Sequence, residues 1–171
     1  MEMKRILAIN PGSTSTKIAV YEDAKCIFTK NIKHVTEELD AFKRIVDQFE
    51  FRKTIIIKEL EIAEIDINSI KIIVGRGGMV RPIESGIYEV NKIMIEDLRT
   101  ASLQHASNLG ALIADDLAQH IPGARAYIVD PVVVDELQEV ARISGHPEIE
   151  RISIFHALNQ TAIARTHANA V

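Results

Sequence analysis

Two apolar runs, residues 6–9 (ILAI) and 17–21 (KIAVY), are separated by Pro11, Gly12, Ser13, Thr14 and Ser15. Both runs read as strands, the first as a continuously apolar central one. A tight hairpin needs only two or three linking residues. This link is longer, carries small polar donors and has almost no bulk, so it reads as a loop shaped around a ligand. Such a chain has to set a polar loop at one end of a sheet.

Beyond the turn at Glu22, Asp23, Ala24 and Lys25, residues 26–35 predict a third strand. The period then changes. Thr36 followed by Glu37 and Glu38 predicts a helix start, with Leu39, Phe42, Ile45, Val46 and Phe49 at helical spacing. Residues 52–65 fit a second amphipathic helix. Strands are expected at 70–74, 86–90 and 126–129, and helices from an Asn91 cap through Leu98, at 105–119, and from Ser153 to the last residue. Short turns between the first three strands, then strand–helix alternation, predict one α/β domain with a mixed sheet flanked by helices.

Composition narrows the function classes. A chain of 171 residues suits a single core. Twenty basic against twenty-four acidic residues give a net charge of −4, and the basic residues are scattered among acidic neighbours. That is no footprint for nucleic acid, and three tyrosines and five phenylalanines make no stacking surface. No apolar run approaches a membrane span or a signal peptide. Cys26 is the only cysteine, which excludes an internal disulfide and fits a reducing cytoplasm. The histidines at 34, 105, 120, 146, 156 and 167 lack zinc-ligand spacing. P-loop, dinucleotide and nucleophile-elbow signatures are all missing.

The polar residues that remain sit where strands and loops end. Asn10 closes the first strand and can orient a phosphoryl oxygen or a metal-bound water. Gly12 admits close approach of an anion, Ser13, Thr14 and Ser15 add donors, and successive backbone amides make an anion-binding concavity. Lys17 adds charge nearby. An ordinary Ser-rich turn accounts for the same residues. Arg76, between Gly75 and the pair Gly77 and Gly78, suits carboxylate or phosphate oxygens, or a surface ion pair. His105 opens a predicted helix, as an anion donor or a helix cap. Asp130 ends a strand, where a carboxylate can organise Mg²⁺ or act as a base. His156 starts the last predicted helix beside Asn159 and Gln160 and can meet a transferring phosphoryl group.

Taken in order, "INPGSTSTKIAVYED", "GRGG", "HASNLGALIA", "YIVDPVVVDE" and "ARISGHPEIERISIFHALNQ" strongly resemble the N-terminal part of the acetate and butyrate kinase family of carboxylate kinases, from about Lys4 to Ala170. The resemblance implies a ribonuclease-H-like domain of the actin-like ATPase fold, spanning residues 1–171, whose nucleotide-binding partner domain lies outside them. It also implies transfer of the ATP γ-phosphoryl to a short-chain carboxylate such as butyrate, with Mg²⁺, giving ADP and an acyl phosphate. By position, Asn10 matches the family's first-loop Asn near phosphates and metal, with Gly12, Ser13, Thr14, Ser15 and Lys17 in that loop. Asp130 matches a strand-end acid that positions metal or substrate, and His105 a substrate-side His. His156 matches the His thought to stabilise the transferred phosphoryl. Arg76 corresponds to the Arg-Gly-Gly of the butyrate branch. The stretch "RTASLQ" before His105 departs from the Gly-Glu ending usual there. A non-catalytic phosphate- or ligand-binding domain is the alternative, and a face left for a second domain makes homo-oligomers an expectation.

Overall fold

The computed structural model describes residues 5–155 and 157–170. Strands β1 (Arg5–Pro11), β2 (Ser15–Glu22) and β3 (Lys25–Lys33) form the expected meander. β4 (Ile70–Arg76), β5 (Ile87–Glu89) and β6 (Arg125–Val129) complete a six-stranded sheet of order β3-β2-β1-β4-β6-β5. β1, β4 and β6 run parallel to one another, while β2, β3 and β5 pair antiparallel.

Period-two alternation divides the sheet into two faces. Leu7 and Ile9 on β1, Ile18 and Val20 on β2, Ile73 on β4, and Ala126 and Ile128 on β6 are buried together. Helices α2 (Phe49–Ile62) and α4 (Asn108–His120) cover this face, placing Ile56, Leu60, Leu109, Ile113 and Leu117 in the same core. The strand register carries Ala8, Asn10, Lys17, Ala19, Val74, Arg76, Tyr127 and Val129 onto the opposite face. All of these are half-buried or exposed.

α4 lies against β4 because both carry glycine where their backbones cross. A Cβ on Gly75 would run into the Gly110 carbonyl, and one on Gly110 would stand 2.8 Å from Arg76 N. Gly77 and Gly78 leave room in the same way for Pro131 and Asn108. The "GRGG" glycines thus act by close packing, and none of them has a positive φ.

Three expectations need correction, and one element was not foreseen. The helix expected to run on from Thr36 breaks into α1 (Thr36–Leu39), a 3₁₀ turn at Ile45–Gln48, and α2. Two local start signals compete with one long helix: Glu38 accepts from Val35 N–H at 3.3 Å and Asp47 accepts from Arg44 N–H at 3.1 Å. α3 (Lys92–Thr100) begins as expected, with Asn91 Oδ1 accepting from Met94 N–H. α4, by contrast, starts at Asn108, because His105 and Ser107 bond to each other in a turn ahead of it. A short α5 (Glu139–Arg142) was not legible, and Asp135 holds its Arg142 at 2.9 Å.

The last helix, α6 (Ala157–Ala168), begins after Ser153 and ends within the described residues. Ser153 Oγ donates to Val134 O at 2.7 Å and Phe155 N–H to Val132 O at 2.7 Å, which ties that stretch to the 132–134 loop ahead of the helix, with Phe155 at a positive φ of 68°.

Candidate active site

Ligands of open α/β sheets bind outside the carboxyl ends of parallel strands. Asn10, Arg76 and Asp130 occupy that edge at the ends of β1, β4 and β6, three neighbours in the sheet. Arg76 Nη1 donates to Asn10 Oδ1 at 3.2 Å across the open face. Asp130 takes a positive φ of 43° directly after β6, where its N–H meets Gly86 O and its Oδ1 accepts from Gly86 N–H at 2.8 Å. Gly86, unremarked in the sequence, thereby sets the carboxylate's direction and leaves Oδ2 without a described partner.

A cleft of about 370 Å³ opens between Arg76, Asp130, Val132, Phe155, Leu158 and Asn159. His105 adjoins it, with its ring 5.1 Å from that of Phe155. Ser107 N–H donates to His105 Nδ1 at 3.2 Å, so Nδ1 accepts and Nε2 carries the proton of the neutral ring. Burial, and after it the charge of Arg76, hold the His105 pKa below its ordinary 6.5. The imidazole is therefore a neutral donor at pH 7. A second cavity, of about 260 Å³, lies on the open sheet face, lined by Asn10, Lys17, Arg76 and Val129 among others. Lys17 is exposed there, opposite Asn10 in the β1–β2 register. His156 lies outside the described residues.

The loop between β1 and β2 is organised by a residue whose significance the sequence did not disclose. Arg52 on α2, 1% exposed, donates to Gly12 O at 2.8 Å, Ser13 O at 3.1 Å, Ser15 O at 3.1 Å and Thr16 Oγ1 at 3.0 Å. Its Nε and Nη2 both reach Gln48 Oε1. Thr14 O accepts from His34 N–H at 3.0 Å, and Gly12 N–H closes the turn onto Ser15 O at 2.7 Å. Gly12 thus spends its amide inside the loop, whereas the Ser13 and Thr14 amides have no described partner. A signal was present in the chain: Gln48, Arg52, Ile56 and Leu60 stand four apart, which puts the arginine on the core stripe of its helix.

His34 completes this buried network. Its Nε2 is 2.8 Å from Thr16 Oγ1, and its buried Nδ1 has no partner among the described residues. Burial first, then the charge of Arg52, lower its pKa from 6.5, with Glu38 opposing. The unfolded chain then binds this proton more readily than the folded one, so stability is full above 6.5 and declines as pH falls through it. Thermal melts between pH 8 and about pH 5 should show that decline, and His34→Gln should flatten it. Parallel declines in both proteins would contradict this role.

Among the described residues no three His, Cys, Asp or Glu side chains gather as a metal cage, and no helix is long and apolar enough to cross a membrane.

No family model matches the chain. It is 55% identical to butyrate kinase 1 of Clostridium acetobutylicum over 170 residues, covering 99% of this chain and 48% of that protein. A probable butyrate kinase of Bacteroides thetaiotaomicron is 53% identical over 164 residues, covering 96% and 46%. The chain therefore spans about half the length of the curated relatives it matches. Among solved structures, acetate kinase of Porphyromonas gingivalis matches with a TM-score of 0.62 at 16% identity, over 95% of this chain and 48% of that one. Acetate kinase of Entamoeba histolytica gives 0.59 at 14% identity, over 98% and 46%. The architecture is accordingly the actin-like ATPase fold with its mixed, helix-flanked sheet. With more than half its residues shared across nearly its whole length, the chain matches the N-terminal domain of a butyrate-kinase-like protein.

Proposed function

We propose that residues 1–171 form the N-terminal ribonuclease-H-like domain of an ATP-dependent kinase that phosphorylates butyrate or a related short-chain carboxylate. A second domain outside these residues would hold the adenosine. One observation carries the reading: Asn10, Arg76 and Asp130 line neighbouring parallel-strand ends beside a loop with two amides that have no partner among the described residues.

In the reaction a carboxylate oxygen bonds to the γ-phosphorus as the bond to the β–γ bridging oxygen breaks, giving acyl phosphate and ADP. The nucleophile has a pKa near that of Glu, about 4–5, so it is ionised at neutral pH and needs no general base. Catalysis then rests on alignment and on charge spread over the equatorial oxygens. The amides of Ser13 and Thr14, with the Ser15 hydroxyl and Lys17, bind phosphate oxygens, while Gly12 shapes their turn. Arg76 neutralises carboxylate or phosphoryl charge, and Asn10 holds its guanidinium in place. His105, neutral, donates on the carboxylate side, and His156 donates to an equatorial oxygen.

Mg²⁺ needs few protein carboxylates and keeps water and phosphate in its shell. Asp130, one of its oxygens already engaged by Gly86, fits that demand, with Asn10 at the same sheet edge two strands away. The bound ion would neutralise phosphate charge. With its single exposed Cys26, the protein suits work in the cytoplasm.

The test traps acyl phosphate as hydroxamate from ATP, Mg²⁺ and acetate, propionate or butyrate. A protein joining this chain to the second half of a butyrate kinase relative should turn over, whereas residues 1–171 alone should not. Robust turnover by the short chain would refute the divided site. Failure of the joined protein, folded and able to bind ATP, would refute the kinase reading in favour of a binding domain.

A further inference from the structure

Arg52 is a buried cation whose partners are all neutral: three loop carbonyls, the Thr16 hydroxyl and the Gln48 amide oxygen. Among the described residues no carboxylate pairs with it. Burial draws its pKa down to about 10, so the charge persists at neutral pH. Placing an ion in a protein interior without a counter-ion is costly, and an apolar side chain of similar volume would hold a helix to a sheet more cheaply. The nearby Lys17 is exposed, where water screens its charge.

The carbonyls that Arg52 chooses are informative. In a trans peptide the C=O of one residue and the N–H of the next point in opposite directions, and the described chain has no cis bond. By drawing the Gly12 and Ser13 carbonyls toward itself, Arg52 turns the Ser13 and Thr14 N–H groups away from itself. Those are the two loop amides without a described partner.

Resting on the kinase reading, we propose that Arg52 is the positioning residue of the phosphate loop. It sets the direction of the two amides, and its unanswered charge draws in the polyphosphate that serves as its counter-ion. It touches no reacting atom and acts through the loop it holds.

Gln48→Glu separates this role from a merely structural one. A carboxylate at that position accepts the same two hydrogen bonds from Arg52 and cancels its charge, so the loop stays held and the fold loses nothing. The probe is pyrophosphate, titrated into the ¹⁵N-labelled chain. In the wild type the Ser13 and Thr14 amide signals should move saturably. In Q48E, with an equally dispersed spectrum and an undiminished melting temperature, affinity should fall about tenfold or more, since the charge of Arg52, buried beneath the loop, is weakly screened. Arg52→Lys, which keeps the charge and loses the fork, should instead scatter the two amide shifts.

Equal affinity in Q48E and wild type would overturn the proposal, as would wild-type shifts confined to residues outside the loop. The kinase reading fails separately. A joined protein that makes acyl phosphate with a KM for ATP unchanged by Q48E removes only the role of Arg52. Pyrophosphate binding weakened by Q48E, without acyl phosphate formation, leaves Arg52 as the organiser of an anion site and removes only the kinase.

Discussion

Arg76→Ala, in a protein joining this chain to the second half of its butyrate kinase relatives, is expected to lower kcat for acyl phosphate formation by roughly 10²–10³-fold, the usual cost of removing one preorganised donor. The guanidinium stands at the end of β4, bonded to Asn10 Oδ1 at 3.2 Å, and lines the same cleft as Asp130. On the kinase reading two anions approach each other there, so a missing positive charge is felt most when they are closest. The loss should therefore fall on kcat more than on KM for the carboxylate. Arg76→Lys should recover only part of the rate, because an ammonium cannot reproduce the planar fork.

The pH profile gives a second reading of the same substitution. Arg76 is the lesser of two causes that lower the His105 pKa, burial being the greater. Removing Arg76 should move the acid limb of the profile upward while leaving it below the ordinary histidine value. A variant with near-normal kcat and an unshifted acid limb would place Arg76 outside the reacting region.

The largest stability effect is expected at the crossing of β4 and α4. Gly75→Ala and Gly110→Ala each drive a methyl into backbone rather than into a side chain that can swing away. Helix and strand must then separate across the middle of the core, where Ile73, Leu109 and Ile113 are fully buried. At least about 3 kcal/mol should be lost, the upper end of overpacking costs. For a domain of this size that lowers Tm by about 6–12 °C. Gly145 is the control: a Cβ there meets nothing within 4 Å, so Gly145→Ala should melt within a degree or two of the parent. Calorimetry of the three variants decides the matter, and a Gly75→Ala protein as stable as the parent would show that the two backbones separate at little cost.

The two glycines also show where reading along the chain stopped short. Gly75, Gly77 and Gly78 read only as the setting of an arginine, because a linear string gives no indication that another helix passes within van der Waals distance. α3 was legible from Asn91 onward because its cap and its apolar stripe are local features. The break between Thr36 and Phe49 was not. Two acidic residues there start short helices of their own, and only packing decides whether local caps or helical spacing prevails.

Within the site the division follows the same physics. Asn10, the Ser-rich loop, Arg76 and Asp130 could be picked out because each is a polar residue at the end of an apolar run, and strand ends are where open sheets keep their chemistry. Their nearness could not, since it depends on β4 lying parallel beside β1, and β6 beside β4, after long connections. Arg52 was passed over as one charge in an amphipathic helix. It became the centre of the loop only when α2 folded back over the sheet, about forty residues after the carbonyls it holds. Periodicity, caps and turn chemistry act between near neighbours in sequence, so they determined the strands, most of the helices and the candidate residues. Which of those residues meet, which carbonyls turn inward and which charge is left unanswered are long-range facts of packing, and only the tertiary structure decided them.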